Sequence, residues 1–169
     1  TSQLQTVSAD ISKLEAQLKE IQSYEKLQNT WKSFSNIKPK LLDDIAQLDN
    51  LQKQSISTQT QLDLLTGKQT ASHIQQSKLK QELAHASAQV KAYADKTEQY
   101  AHGWRHALFR KRFEAYQASL TQSLEQAAQL EKQLDQIKAL LSDMEQSQKA
   151  LESELQKISE QQHTVLLHL

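Results

Sequence analysis

The sequence predicts an all-α protein: an elongated antiparallel helical bundle or coiled coil of three to four long helices. Three observations carry that expectation. Large apolar residues recur at alternating steps of three and four over most of the chain, the repeat of a helix that buries one narrow stripe. Two glycines and one proline in 169 residues leave little punctuation, so turns must be few and helices long. Glutamine is abundant at 27 residues, beside much Leu, Lys, Glu and Ala, all good or fair helix formers. The apolar share, 37%, lies below that of an ordinary globular domain and suits helices that each bury only a stripe.

The first helix is expected from about Leu4, where Leu4, Val7, Ile11, Leu14, Leu18 and Ile21 form a heptad seam. Tyr24 then follows after a step of three where four was due. Such a stammer overwinds a coiled coil locally or swings the stripe toward a new neighbour. Leu27, Trp31 and Phe34 continue the shifted stripe. Pro39 lacks a backbone donor and biases Lys38 away from helical geometry, so a turn or sharp kink is expected over 36–40. The second helix should run from about Leu41 to Leu65. Its seam of Leu41/Leu42, Ile45, Leu48 and Leu51 weakens through Ser55–Gln61 before Leu62 and Leu65 restore it.

Thr66-Gly67 reads as a helix stop over 66–70, and Ser72-His73-Ile74-Gln75 as a capping box for a third helix. That helix carries Leu79, Leu83, Ala86, Val90, Tyr93, Thr97, Tyr100 and Trp104 in unbroken alternation. Residues 104–169 form one long heptad helix, its seam running from Phe109 to Leu169 with Ser123, Gln148 and Gln162 as the polar members. Those two glutamines can fix register, as buried amides do in coiled-coil cores; a glutamine-rich chain also tolerates glutamine there. The step from Trp104 to Phe109 breaks the phase beside Gly103. With a turn there, the chain is a four-segment bundle with an overhanging last helix. Without one, it is a hairpin of arms 1–65 and 70–169. The phase break favours the turn. Residues 1–169 are expected to form a single elongated helical domain. The apolar spacing is still running at Leu4 and at Leu169, which suggests a piece of a longer protein.

The net charge is zero, so no global field predicts nucleic-acid or membrane binding. Locally, residues 104–113 sum to +4 and 114–169 to −5. There is no cysteine, hence no disulfide framework or thiolate chemistry. No apolar run approaches the ~20 residues of a membrane span, and no signal-peptide pattern is visible; the cytoplasm is the favoured compartment, without a decisive signal. Two glycines 36 residues apart make no phosphate loop, and no nucleophile elbow is present. The chain is therefore not expected to be an enzyme, and no catalytic, cofactor-binding or metal-ligating residue is assigned. Glu98, His102 and His106 stand four apart, but Gly103 spoils the shared helical face and no fourth ligand is evident.

One segment stands out as a candidate interaction patch: Trp104, Arg105, Phe109, Arg110, Lys111, Arg112 and Phe113. The stretch 102–113 holds all three arginines, one of two tryptophans and two of three phenylalanines. Arg and Trp concentrate at binding hot spots because both join large contact area to directed polar groups. Four cations at the start of a helix also oppose its dipole, so they answer to a neighbouring acidic helix, a ligand or a partner. The plainer reading is that Phe109 and Phe113 are seam residues and the cations their solvated flanks. One basic cluster is a weak nucleic-acid signal.

The function expected first is a structural or protein-interaction coiled-coil module, a scaffold, spacer or assembly segment that meets a protein partner or itself through the helix seam. Two alternatives remain open. One is a coiled-coil arm of a chromosome-handling ATPase of the structural-maintenance type. The other is a helical-bundle extracytoplasmic sensor domain in which the arginines bind a small anion.

Overall fold

Two long helices and one short one make up the computed structural model, which describes residues 1–169. Helix α1 spans Ser2–Gln99, α2 spans Trp104–Leu108 and α3 spans Arg110–His168. There is no strand, and no helix is long and apolar enough to cross a membrane. The protein is all-α, and α1 packs on α3.

Three to four long segments were expected; two are present. The turns anticipated at 36–40 and 66–70 do not form, because α1 is continuous for 98 residues. Helix α1 takes Pro39 in its interior. The missing donor frees the carbonyl of Ser35, and both residues are exposed, so water can satisfy it. The site remains a weak point, since an interior proline costs about 3 kcal/mol. Gly67 is likewise interior and lacks a positive φ. Packing explains its helical state. Residues 58, 62, 65, 69 and 72 are all buried or half-buried in one unbroken stripe, and tertiary burial outweighs the ~1 kcal/mol penalty of a helical glycine. The Thr66 and Thr70 hydroxyls donate to the carbonyls of Leu62 and Thr66 at 2.9 and 3.0 Å instead of capping an end. Ser72, expected in a capping box, is a buried seam residue in mid-helix.

The chain divides into two compact units. One comprises 55–157 and the other 1–54 with 158–169. In the first, Leu79 and Ala86 of α1 form a cluster with Leu130, Leu134, Ile137 and Leu141 of α3, with Leu83 and Ala127 against it. Ala86 is 1% exposed, so its methyl marks a close approach of the two helices. Buried and half-buried positions of α3 within this unit follow a three–four alternation from Phe113 to Leu155. The seam expected for the last helix is thus the face that α1 covers.

In the second unit, Leu51 of α1 is buried with Ile158 and Val165 of α3, and Leu48 packs beside them. Gln162 donates its side-chain amide to the Gln52 carbonyl oxygen at 3.3 Å, so this glutamine does pair across the seam. Gln148 instead bonds Glu152 on its own helix at 2.9 Å. Leu169, expected to end the seam, is exposed. The ion pairs Lys53–Asp49, Lys78–Glu82, Arg110–Glu114 and Lys138–Asp135 join residues three or four apart on one helix and are solvated, worth tenths of a kcal/mol each. The apolar seam carries the packing of α1 on α3.

Candidate functional site

The expected turn at Gly103 is present. Helix α1 ends with the tightened bonds of Tyr100 N–H to Thr97 O at 3.3 Å and Ala101 N–H to Glu98 O at 3.1 Å. Gly103 then takes φ 70° and ψ −152°, a positive-φ region open almost only to glycine. The long helix expected from Trp104 starts six residues later. Phe109, at φ −116° and ψ 31°, interrupts it after the five-residue α2. The interruption is a jog: Phe109 N–H still bonds Arg105 O at 2.9 Å, and Phe113 N–H bonds Phe109 O at 3.0 Å.

The patch predicted from the sequence splits into two layers at this tip. Phe109 and Phe113 are half-buried and face inward. Phe109 meets Tyr100 edge-on at 5.7 Å, Tyr100 stacks on Tyr116 at 5.9 Å, and Phe113 meets His106 edge-on at 4.8 Å. These rings close the turn. The His106 Nδ1 is shielded from solvent and has no hydrogen-bond partner. No group of three or more His, Asp or Glu side chains converges as a metal site would require.

The outer layer is cationic and exposed. Arg112 lies over the Phe109 ring at 5.2 Å and Arg105 over Trp104 at 5.6 Å. Lys96, from α1, sits 5.3 Å from the Tyr116 centroid and 5.9 Å from that of Tyr93. Arg110 pairs with Glu114 at 3.0 Å. Trp104 is 69% exposed, and Leu108 is exposed with it. The tip therefore presents an apolar pair, Trp104 and Leu108, among cations. Sequence reasoning missed the contribution of Lys96, Tyr100 and Tyr116, although the tyrosines lie on the heptad stripe.

A second surface lies on α1. The seam read from Leu4 to Ile21 is uncovered: Leu4 is 73% exposed, and Val7, Ile11, Leu14, Leu18 and Ile21 are all exposed. Tyr24, Leu27, Trp31, Phe34, Leu41 and Ile45 are exposed as well, Trp31 at 67%. Burial on α1 begins only around Asp44 and Leu48. From Leu4 to Phe34 the pattern of a buried stripe is there and uncovered, whereas Leu41 already lines a concavity with His168 of α3 and Leu169. Shallow concavities along this face, one lined by Tyr24, Leu27, Gln28 and Trp31, are the gaps between seam side chains.

No protein-family model matches the chain, and neither a curated protein nor a solved structure matches it.

Proposed function

We propose that the chain is a structural module that works by helix-on-helix packing, and that the exposed stripe from Leu4 to Ile45 is the face it offers to a partner helix. One observation carries this reading. The stripe has the residue types and spacing of the seam buried between α1 and α3, and it is solvated. A row of exposed large apolar side chains marks an interaction surface, and at helical spacing it suits another helix. The α1·α3 seam has the three–four spacing of a coiled coil. The Trp104–Leu108 tip is a secondary surface whose cations suit an acidic protein partner.

Site-specific photo-cross-linking in living cells tests the reading. A photoreactive residue at Leu14, Leu18 or Trp31 should yield protein adducts. The same residue at Lys19 or Lys26, off the stripe, should yield few. Equal labelling from both faces, or none from the stripe, would remove the basis for a docking face.

A further inference from the structure

We infer that the partner on this stripe is a second copy of the chain, paired antiparallel through residues 11–34 about a two-fold axis between Ile21 and Tyr24. The inference rests on the docking reading above and names its occupant. The decisive feature is the order of the steps. From Ile11 to Phe34 the seam positions fall at 11, 14, 18, 21, 24, 27, 31 and 34. That series of threes and fours reads the same backward as forward, and the stammer stands at its centre.

A stammer rotates the stripe around its helix. Two helices keep their stripes facing each other only if both shift at the same level. An arbitrary regular heptad helix fails this condition against residues 11–34. A second copy laid antiparallel about the 21/24 step meets it, and every seam position finds a counterpart. Ile21 then faces Tyr24, and Leu18 faces Leu27. Further out, Leu14 meets Trp31 and Ile11 meets Phe34, so in three of the four layers an aliphatic side chain opposes an aromatic one. Each layer occurs twice, as an isologous interface requires.

A parallel, in-register pair would also align the stammers, and charge decides between the two. In a parallel pair the residue before one seam position approaches, across the interface, the one five places on. That juxtaposes Asp10 with Glu15 of the other helix on both sides, a like-charge clash. In the antiparallel pair Asp10 falls between Thr30 and Ile37, and Glu15 between Gln28 and Ser35, all uncharged.

The area is sufficient. Fully burying a side chain of Leu or Ile size removes roughly 60–120 Å² from water, taking its usual stabilisation at 25 cal/mol per Å². The eight seam residues from Ile11 to Phe34 are all half or more exposed. Removing half that area from the five aliphatic side chains and half of the ~150–250 Å² of the three aromatic ones, over two copies, totals roughly 750–1,350 Å², the range of a weak, reversible interface. The stripe also continues the face on which Leu48 and Leu51 already pack against Ile158 and Val165.

The purified 169-residue chain provides the test. Sedimentation velocity over a range of concentrations should show a reversible monomer–dimer equilibrium in the micromolar range. The chain has no cysteine, so single cysteines report orientation cleanly. Ser23→Cys, beside the axis, should form a disulfide-linked dimer on mild oxidation. Val7→Cys should not, because its twin lies 31 residues away along the seam, about 46 Å. Ile11→Glu with Leu18→Glu should abolish the dimer while the circular dichroism of the remaining helix persists. A monomer at every concentration, cross-linking through Val7→Cys in place of Ser23→Cys, or a dimer indifferent to the two glutamates would each overturn the inference. Photo-adducts with a different protein in cells would still uphold the docking face in that case.

Discussion

The Tyr100 ring stacks on Tyr116 at 5.9 Å with the planes 14° apart, joining the end of α1 to the first turns of α3. Phe109 packs edge-on against the same Tyr100, and Lys96 sits over Tyr116. Tyr100 is thus the ring on which the turn closes, and its contacts run through the ring faces and edges.

Replacing Tyr100 by Ala removes two aromatic pairs and leaves Phe109 without its neighbour. Each pair contributes about 0.5–1.5 kcal/mol beyond area burial. A half-buried aromatic falls short of the ~3–5 kcal/mol of a fully buried one, so a loss of about 2 kcal/mol is expected. Tyr100→Phe keeps the ring and should lose much less. Urea unfolding followed by circular dichroism measures both, and equal losses would show that the hydroxyl outweighs the stacking.

The two glycines should respond in opposite directions to the same substitution. Gly67 lies inside α1, with nothing within 4 Å of an added Cβ. Gly67→Ala should therefore stabilise the chain by roughly 0.5–1 kcal/mol through helix propensity. Gly103 also has open space around it, but its φ is 70°. Gly103→Ala should destabilise by about 1–3 kcal/mol, because an L-residue resists that region. Thermal melts of the two variants should move apart. A shared direction would mean that the turn relaxes to another backbone conformation.

The contrast shows what could be read from the sequence. Both glycines stood at plausible helix ends. Local chemistry favoured a stop at Thr66-Gly67 as much as at Gly103, and Pro39 favoured one more strongly than either. What separates them is long-range. The stripe on α1 runs through Gly67 in phase, from Thr58 to Leu79, whereas the phase breaks after Gly103. That phase information was legible, and it placed the turn at Gly103 and the covered face of α3 from Phe113 to Val165 correctly. At Gly67 the local cap signal points the other way, and the packing of the stripe overrides it. The exposure of Leu4–Ile45 was not legible at all, because a stripe awaiting a partner has the same spacing as one already covered. At the tip, residue type drew attention to Phe109 and Phe113 as part of a surface; their half-burial depends on Tyr100 and Tyr116, which only the fold brings to them.

The first turn of α3 carries Arg110, Lys111 and Arg112 and no acid. These charges face the positive end of the helix dipole. Only Arg110 is compensated, by Glu114, and in the order that favours a helix less. Lys111→Glu should therefore stabilise α3 by about 0.3–1 kcal/mol at low ionic strength, with the gain shrinking as salt is added. Thermal unfolding at two salt concentrations reads both effects. Destabilisation instead would show that Lys111 has a favourable partner in the folded chain.

Gln162 is a polar member of an otherwise apolar neighbourhood, between Ile158 and Val165 on the seam. Its amide reaches Gln52 at 3.3 Å, a long bond between neutral groups that contributes on the order of 1 kcal/mol at most. Gln52 is exposed, so losing Gln162 returns its carbonyl to water and leaves no orphan. A leucine at 162 would instead join Leu48, Leu51, Ile158 and Val165, where complete burial is worth about 1.5–3 kcal/mol. Gln162→Leu should thus raise the stability of this part of the chain by about 1 kcal/mol, while Gln162→Ala should lower it. Hydrogen exchange of the α3 amides near Ile158 and Val165 follows the change where it occurs. Protection should rise with Leu and fall with Ala. If Leu lowers it below Ala, the amide pair holds the register of α1 against α3, and the glutamine is there for alignment at the expense of stability.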